Sequence, residues 1–384
     1  MIQRTAEKRL KYLAKKFRVV AVVGPRQSGK TTLCKSVFSN KKYVSLENPD
    51  TFHYAKTDPN SFLKQFSNGA IIDEAQKLPE LFSYIQQIVD EKNKAGLFIL
   101  SGSNNFLMQQ SISQSLAGRV AYLHLLPLSH HELKAAKKLG NDFEKNIFRG
   151  YYPEIISKKI SPNDWYANYV NTYVERDVRQ LVNINNLGLF IKFLKLCAGR
   201  VGQILNVHAL AADCGVDNKT INSWLQVLQT SYIVYLLKPF YNNYNKRILQ
   251  SPKLYFYDTG LACFLLGITE QHLLDNNAYK GALFENMLII DALKNNLNEG
   301  LPDNFFYWRD KTGLEVDLVL DSKPKTTFVE IKSGATINSD FFKSLLKLNE
   351  LNDGKANLKL IYGGNTNSVR SNNVEVFSWK NVKL

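Results

Sequence analysis

The chain has 384 residues, of which 45% are hydrophobic and 12% aromatic, so it can bury sizeable cores and is not a disordered protein. This length exceeds what a single compact core accommodates, and two to four domains are expected. The apolar runs are far shorter than the roughly 20 residues of a membrane-spanning helix, and the charged start does not fit a secretory leader. No membrane partner is therefore expected.

The net charge is +15, with 49 Lys and Arg residues against 34 Asp and Glu residues. This balance favours polyanionic partners, nucleic acid first, although a basic protein without such a partner has the same composition. The four cysteines lie far apart without a CxxC pair, which argues against structural zinc or a disulfide framework and indicates the cytoplasm. They are Cys34, Cys197, Cys214 and Cys263.

A phosphate-binding loop follows the first apolar strand. Residues 24–31 read G-x-x-x-x-G-K-T between that strand and a helix-compatible stretch, the order that separates a P-loop from a chance match. The backbone N–H groups of such a loop converge on phosphate oxygens. Lys30 is predicted to reach the β- and γ-phosphates of ATP, and Thr31 to ligate Mg²⁺. The predicted nucleotide-binding residues are Gly24, Pro25, Arg26, Gln27, Ser28, Gly29, Lys30, Thr31 and Thr32.

The apolar strand at residues 70–72 runs into Asp73 and Glu74, as in a Walker B element. Asp73 is predicted to hold Mg²⁺ through water, and Glu74 to be the general base that accepts a proton from the attacking water. By itself, a strand that ends in an acidic turn is more simply a solvated surface. Together with the P-loop it indicates ATP hydrolysis.

Two further residues are candidates for catalysis. The strand at 97–100 ends in small polar residues, at the edge where open α/β sheets bind ligands. Among them Ser103 is favoured over Ser101 and Asn104 as the residue that senses the γ-phosphate or positions the water. Arg119 precedes the next apolar strand and is a candidate arginine finger, in cis or from a neighbouring chain of a homo-oligomer. A plain surface arginine is the equal alternative.

The pattern of predicted helices and strands then changes at two points along the chain. Residues 1–128 alternate strands and helices, as in a parallel-sheet α/β domain, and residues 129–187 are predicted to form a helical lid behind the nucleotide. Residues 188–260 give a helix, a glycine-containing turn, a second helix and two β-like runs around a basic loop at 242–247. This order is typical of a winged helix, which contacts DNA in some proteins and packs against protein in others.

The predicted C-terminal domain, residues 261–384, carries a second set of charged residues. Asp317 lies on one strand, and Glu330 and Lys332 share a face of the next. Asp317 and Glu330 can ligate Mg²⁺ through oxygen, and Lys332 can orient or deprotonate an attacking water. Glu-Ile-Lys is also, by itself, a plain edge-strand pattern.

This arrangement, together with Glu285 on an apolar helix, resembles the PD-(D/E)xK nuclease core, which has a restriction-endonuclease-like α/β fold. The resemblance implies that Glu285, Asp317 and Glu330 are metal ligands, that Lys332 is catalytic and that Glu315 is accessory. The proline that usually precedes the aspartate is missing here.

Nearly the whole chain resembles one prokaryotic family of AAA+-like (ASCE) P-loop ATPases, the AAA_14 and DUF4143 family. The short segments that match are residues 24–32, 72–76, 101–103, 118–119, 127–129, 151–154, 173–177, 257–261, 315–317 and 330–332. The resemblance implies ATP binding and hydrolysis, a winged helix and a nuclease-like end, but no substrate. We therefore expect a Mg-ATP-dependent ATPase that acts on DNA. The alternative is an ATP-driven, protein-regulated switch or scaffold with an inactive nuclease fold, and a small-molecule kinase ranks last.

Overall fold

The first part of the chain forms a parallel five-stranded sheet in the computed structural model, which describes residues 2–102, 108, 112, 115–173, 186–240, 251–322 and 325–381. The strands follow the order β2-β3-β4-β1-β5. They are β1 (Val19–Val23), β2 (Lys42–Ser45), β3 (Ala70–Asp73), β4 (Phe98–Gly102) and β5 (Val120–His124). The surrounding helices are α1 (Ala6–Lys16), α2 (Lys30–Val37), α3 (Pro49–Thr57), α4 (Pro59–Lys64) and α5 (Leu81–Lys92), with a 3₁₀ turn at Ala75–Lys77.

The central strand β1 explains why this sheet has helices on both faces. All five of its residues are apolar and fully buried, as expected for a parallel strand covered on both sides. Val19, Ala21 and Val23 belong to the core on one face, and Val20 and Val22 to the core on the other. The prediction of a parallel-sheet α/β P-loop fold is confirmed.

Short helices follow the sheet. They are α6 (His130–Ala135), α7 (Phe143–Arg149), α8 (Pro153–Lys158) and α9 (Pro162–Tyr173). Helix α6 begins with a capping box between Ser129 and Glu132, and α8 begins with Pro153 at a position where a helix needs no N–H donor.

Three further helices and a hairpin come next. They are α10 (Leu187–Ala198), α11 (Val207–Cys214), α12 (Asn218–Thr230), β6 (Val234–Pro239) and β7 (Lys253–Phe256), the last two paired antiparallel. Asn206 and Asp217 cap α11 and α12, and Gly215 turns the chain between them with a φ of 77°. The basic loop at 242–247 lies outside the described residues.

The C-terminal part begins with two helices, and an antiparallel meander of strands follows. Its elements are α13 (Thr259–Leu265), α14 (Lys280–Glu299), β8 (Phe305–Arg309), β9 (Glu315–Leu320), β10 (Thr327–Lys332), α15 (Lys343–Leu351), β11 (Asn357–Tyr362), β12 (Ser368–Val369) and β13 (Val374–Ser378), with 3₁₀ turns at Gln271–Leu274 and Ser339–Phe342. The eight-stranded sheet has the order β12-β13-β11-β10-β9-β8-β6-β7. Strand β11 pairs in parallel with β10, after the crossover through α15.

The hairpin and the C-terminal part share one sheet and one core. Strand β6 pairs with β8 in parallel, so the hairpin of the predicted 188–260 module extends the sheet of the predicted 261–384 domain. A single cluster of buried apolar side chains runs from Leu126 to Trp379. Of the helices in the described ranges, none combines the length and the apolar character needed to cross a bilayer.

Candidate functional site

The P-loop has a backbone that only glycine fits at its first position. Gly24 has a φ of 155°, and a Cβ there would lie 2.2 Å from the carbonyl oxygen of Leu125. Gly29 has a φ of 94° and immediately precedes α2, and Gln27 is also left-handed, with a φ of 59°. These three residues turn the loop back over the carboxyl end of β1, so that it leads into the N-terminus of α2.

Lys30 lies inside the curve of the loop. Its ammonium donates to the carbonyl oxygens of Gly24 (3.0 Å) and Pro25 (2.7 Å), and the residue is only 6% exposed. Burial lowers the pKa of Lys30 to about 8, although the nearby carboxylates of Glu74 and Asp73 oppose this shift. The lysine therefore carries its charge at neutral pH, at the point where phosphate is expected.

Asp73 accepts hydrogen bonds from the hydroxyl groups of three other elements at the carboxyl edge of the sheet. Its Oδ2 accepts hydrogen bonds from Thr31 and Tyr43, each at 2.9 Å, and its Oδ1 accepts one from Ser101. The two residues predicted to hold Mg²⁺, Thr31 and Asp73, are thus in direct contact. Ser103, which the sequence favoured over Ser101, lies outside the described residues.

Glu74 is held by a neighbour. Its backbone is left-handed, with a φ of 53°, a strained state that is common at functional sites. The side-chain amide of the buried Gln76 donates to Glu74 Oε2 at 2.5 Å. Gly102 leaves room for this amide, because a Cβ there would lie 2.2 Å from Gln76 Oε1. The general-base candidate is therefore oriented by a residue two positions along the chain.

Arg4 ties the N-terminal segment to the P-loop. Its guanidinium donates to the carbonyl oxygens of Ser28 (2.7 Å) and Leu126 (2.6 Å) and to the carboxylate of Glu132 (3.0 Å). The arginine is buried, so these contacts fix the outer side of the loop against the start of α6. Sequence reasoning missed Arg4 and Tyr43, which stand in no recognisable motif.

A cleft of about 1420 Å³ opens in front of the P-loop, a volume that accommodates a nucleotide. The opposite wall comes from α8 and α9. The residues that line the cleft as a whole include Gln3, Arg4, Arg26, Gln27, Gly29, Lys30, Thr31, Thr32, Glu47, Glu74, Pro153, Glu154, Lys158, Tyr169 and Thr172. Within the described part of the chain, the buried hydroxyl of Ser28 has no hydrogen-bond partner, which suits a loop that awaits an anion.

Arg119 lies at the other end of the sheet. It precedes Val120, which pairs with the first residue of β1, whereas the P-loop follows the last residue of β1. The two ends are one five-residue strand apart, roughly 16 Å. Arg119 instead forms a bidentate pair with Asp90, through two contacts of 2.7 Å. This position argues against a finger that acts in cis, and a role in trans stays a prediction.

The C-terminal carboxylates gather in a set that differs from the predicted one. Oxygen atoms of Glu285, Glu315 and Asp317 lie within 4.8 Å of one another, and we call these three residues the carboxylate cluster. Glu330, predicted as a ligand, pairs instead with Lys332 through Oε1 at 2.5 Å, and its buried Oε2 has no partner among the described residues. Glu315, predicted as accessory, is thus one of the three clustered residues, whereas Glu330, predicted as a ligand, is not.

A lysine that the sequence did not single out contacts the carboxylate cluster. Lys253 Nζ lies 2.9 Å from Glu285 Oε1 and also forms an ion pair with Glu315. The hydroxyl of Tyr255 donates to the same oxygen of Glu285. The sequence gives little sign of this contact, because Lys253 and Glu285 are 32 residues apart and lie on different elements.

Burial changes the acidity of two carboxyl groups here. It raises the pKa of Glu285 to about 7 and that of Glu330 to about 9, in both cases against the effect of a nearby lysine. Lys332 Nζ also lies 3.4 Å from Asp317, whose Oδ2 accepts a hydrogen bond from the backbone N–H of Ile331 at 2.7 Å.

Helix α12 presents a polar face to solvent. Four of its polar residues are exposed at helical spacing, while its apolar residues are buried against α10 and the hairpin. The exposed residues are Lys219, Asn222, Gln226 and Gln229.

Comparisons with known proteins divide the chain into three matched regions. A model described as an AAA domain matches residues 16–134, and models of two domains of unknown function, DUF8612 and DUF4143, match residues 140–272 and 280–382. Among solved structures, the chain is similar to the Walker-type ATPase PABY2304 of Pyrococcus abyssi, with 13% identity, coverage of 69% of this chain and 96% of that one, and a TM-score of 0.47. It is also similar to AMPPCP-bound DnaA of Aquifex aeolicus, with 12% identity, coverage of 58% and 85%, and a TM-score of 0.31.

Two curated relatives match most of the chain, and a third matches about half of it. Uncharacterized proteins of Mycobacterium tuberculosis and Mycobacterium bovis are each 31% identical to it over 340 residues, which is 87% of this chain and 74% of theirs. An uncharacterized protein of Haemophilus influenzae is 20% identical over 211 residues, which is 51% of this chain and 50% of that protein. With this extent of similarity, and with the matched regions in this order, the chain belongs to the family of AAA-domain, P-loop ATPase-like proteins that carry the DUF4143 domain.

Proposed function

We propose that the chain binds Mg-ATP in the P-loop cleft and hydrolyses it. The observation that supports this most directly is the contact of Thr31 with Asp73 beside the buried ammonium of Lys30. Lys30 would bind the phosphates, and the oxygens of Thr31 and Asp73 would hold Mg²⁺, which neutralises phosphate charge when bound. Glu74, oriented by Gln76, would accept the proton of the attacking water.

The assignment of Glu74 is tested by Glu74→Gln. This change keeps the shape of the side chain but removes the base, so we expect nucleotide affinity to stay unchanged and ATP turnover to fall about 10²- to 10⁴-fold. Binding of a fluorescent ATP analogue and phosphate release measure the two quantities. Lys30→Ala is the control, because it should weaken binding itself. Equal turnover by Glu74→Gln and the unchanged protein would refute the base assignment.

We propose further that ATP turnover serves work on DNA, through residues 188–260 as a winged helix. The helices α10 to α12 and the β6–β7 hairpin have the order of that fold. The exposed polar face of α12 would contact bases, and the net charge of +15 favours a polyanion.

The DNA proposal predicts that double-stranded DNA stimulates ATP turnover, and that salt weakens the effect because phosphate contacts release counterions. Turnover is measured with double-stranded DNA, single-stranded DNA or none, at low and moderate salt. The double substitution Lys219→Ala and Asn222→Ala should remove the stimulation while basal turnover stays. Lys64→Ala, which removes an exposed lysine of α4, is the matched control. Turnover that ignores DNA would contradict the proposal.

A second candidate is an ATP-driven switch, regulated by a protein, whose nuclease-like part does not cleave. Helix α14, the meander β8-β9-β10, α15 and the parallel strand β11 follow the order of a nuclease-like core, which we propose for this region. The observation that favours an inactive core is Lys253, which neutralises two of its carboxylates. Nicking of plasmid DNA with Mg²⁺ that disappears in Asp317→Ala or Lys332→Ala would refute this candidate.

A further inference from the structure

The carboxylate cluster already contains a cation. Lys253 is only 2% exposed, and its ammonium contacts Glu285 on α14 and Glu315 on β9, two elements that are distant in sequence. Charged carboxylates that are buried together are stabilised when positive charge balances them. In this structure a side chain of the protein supplies that charge.

The strand that carries Lys253 is fixed along its length. The side chain of Asn286 bonds to both backbone groups of Phe256, at 2.7 and 2.8 Å. Along the same edge of the strand, the N–H of Gly202 donates to the carbonyl of Leu254 at 2.8 Å, and the N–H of Leu254 to the carbonyl of Gln203 at 3.0 Å. The bonds of Asn286 hold β7 against α14 and the other two hold it against residues 202–203, so the backbone of Lys253 cannot withdraw without breaking them.

The alternation of side chains along β7 directs two polar groups at the same carboxylate. Lys253 and Tyr255 are two positions apart and therefore share a face of the strand. Both contact Glu285 Oε1, so this oxygen already has two donors. A divalent cation that used the same oxygen would displace these donors and lie beside a buried ammonium of like charge.

We infer that Lys253 is the resident cation of the carboxylate cluster and stands in place of the divalent metal that a nuclease-like fold implies there. The cluster therefore does not bind Mg²⁺ or Mn²⁺ in the native protein. Its ion pairs instead join the hairpin to α14 and β9.

The test is thermal unfolding of the nucleotide-free full chain with EDTA or with increasing Mn²⁺. Lys253→Met keeps most of the side-chain volume but removes the buried ammonium that pairs with Glu285 and Glu315, so the variant should melt lower in EDTA. Mn²⁺ should then raise its melting temperature, since a ligand that binds only the folded state stabilises it. Adding Asp317→Asn should abolish this Mn²⁺-dependent rise.

Two comparisons make the result specific. Lys294, on α14, is another buried lysine, and it donates to the carbonyl of Leu128. Lys294→Met should lower the melting temperature without any Mn²⁺-dependent rise that Asp317→Asn removes. In chains that keep Lys253, the response to Mn²⁺ should be the same with and without Asp317→Asn. A cation bound at the P-loop raises the melting temperature equally in the chains with and without Asp317→Asn, so its contribution cancels when the two are compared.

Two outcomes would overturn the inference. One is Mn²⁺ binding by the native chain that Asp317→Asn removes, which titration calorimetry detects even where Lys253→Met does not fold. The other is a folded Lys253→Met protein that shows no Asp317-dependent response to Mn²⁺. Neither result depends on ATP hydrolysis, because nucleotide is absent throughout.

Discussion

Single side chains at the P-loop are held by contacts that no motif describes. Asp73 receives hydroxyl groups from β2, α2 and β4, and Glu74 receives the amide of Gln76. Lys30 is bonded to carbonyl groups of its own loop. The charged groups are thus placed before a ligand arrives, and this lowers the cost of ordering them on binding.

The pKa of Lys30 leads to a prediction about pH. Because burial lowers this pKa to about 8, the lysine loses its proton as the pH rises above 8, and ATP must then bind together with a proton. We expect the dissociation constant for ATP to rise up to about tenfold per pH unit above pH 8. Titration with a fluorescent ATP analogue between pH 7 and pH 10 measures this.

Lys30→Arg is the control for this pH effect. Its guanidinium keeps the charge throughout the range, so its affinity, although weaker because the donor geometry differs, should stay constant with pH. The hydroxyl of Tyr43 does not interfere, because burial raises the pKa of Tyr43 to about 12. A flat affinity profile for the unchanged protein would contradict the role assigned to Lys30.

At the scale of elements, the P-loop depends on the close approach of two backbone segments. Gly24 follows β1 directly and lies against Leu125, the residue that follows β5, so the loop is shaped by a neighbouring strand as well as by its own residues. This is why the first glycine of the motif is needed for the fold and not only for phosphate.

We predict that Gly24→Ala destabilises the chain by more than about 2–3 kcal/mol and abolishes ATP binding. The added methyl group would overlap the Leu125 carbonyl, in addition to the strain of a φ of 155°. Gly118→Ala is a matched control, since Gly118 also has a positive φ, 74°, but no residue in the described ranges lies within 4 Å of the added Cβ. It should cost about 1–2 kcal/mol.

Urea unfolding and nucleotide titration measure both glycine variants. If Gly24→Ala and Gly118→Ala lose the same free energy of unfolding, backbone strain alone would explain the loss, and the contact with Leu125 would be unimportant.

At the scale of the whole molecule, Asp258 joins parts of the chain that are far apart in sequence. It caps α13 and accepts hydrogen bonds from the backbone N–H of Tyr151 at 2.8 Å and from the hydroxyl of Tyr166. Residues 151–154 and 257–261, two of the segments that carry the family resemblance, therefore meet at one buried carboxylate. Helix α9, which carries Tyr166, also contributes Tyr169 and Thr172 to the wall of the nucleotide cleft.

We predict that Asp258→Ala lowers the free energy of unfolding by about 3–5 kcal/mol, because it removes the acceptor of three buried donors, the N–H groups of Tyr151 and Leu261 and the hydroxyl of Tyr166. Asp258→Asn keeps one acceptor oxygen and should cost less than half as much. Urea unfolding gives both values, and a loss below 1 kcal/mol for Asp258→Ala would contradict the prediction. ATP turnover by Asp258→Asn should remain close to that of the unchanged protein.

For Arg119 the sequence leaves a finger in cis, a finger in trans and a surface arginine open, although the direction of the strands already bears on the choice. Arg119 precedes a strand and the P-loop follows one, and in a parallel sheet these positions lie at opposite edges. Strand direction therefore argues against a finger that acts in cis. Glu330 differs, because its pairing with Lys332 in place of a position in the carboxylate cluster depends on side-chain directions that spacing does not give.

The sequence by itself determined the parallel sheet, the P-loop and the Asp73–Glu74 pair, because these depend on short-range patterns of apolar residues, glycine and charge. Only the tertiary structure decided which residues from distant elements join them, such as Tyr43 and Arg4 at the P-loop and Lys253 in the carboxylate cluster. The physical reason is that a buried charge needs a partner, while the fold decides which distant residue lies near enough to be that partner.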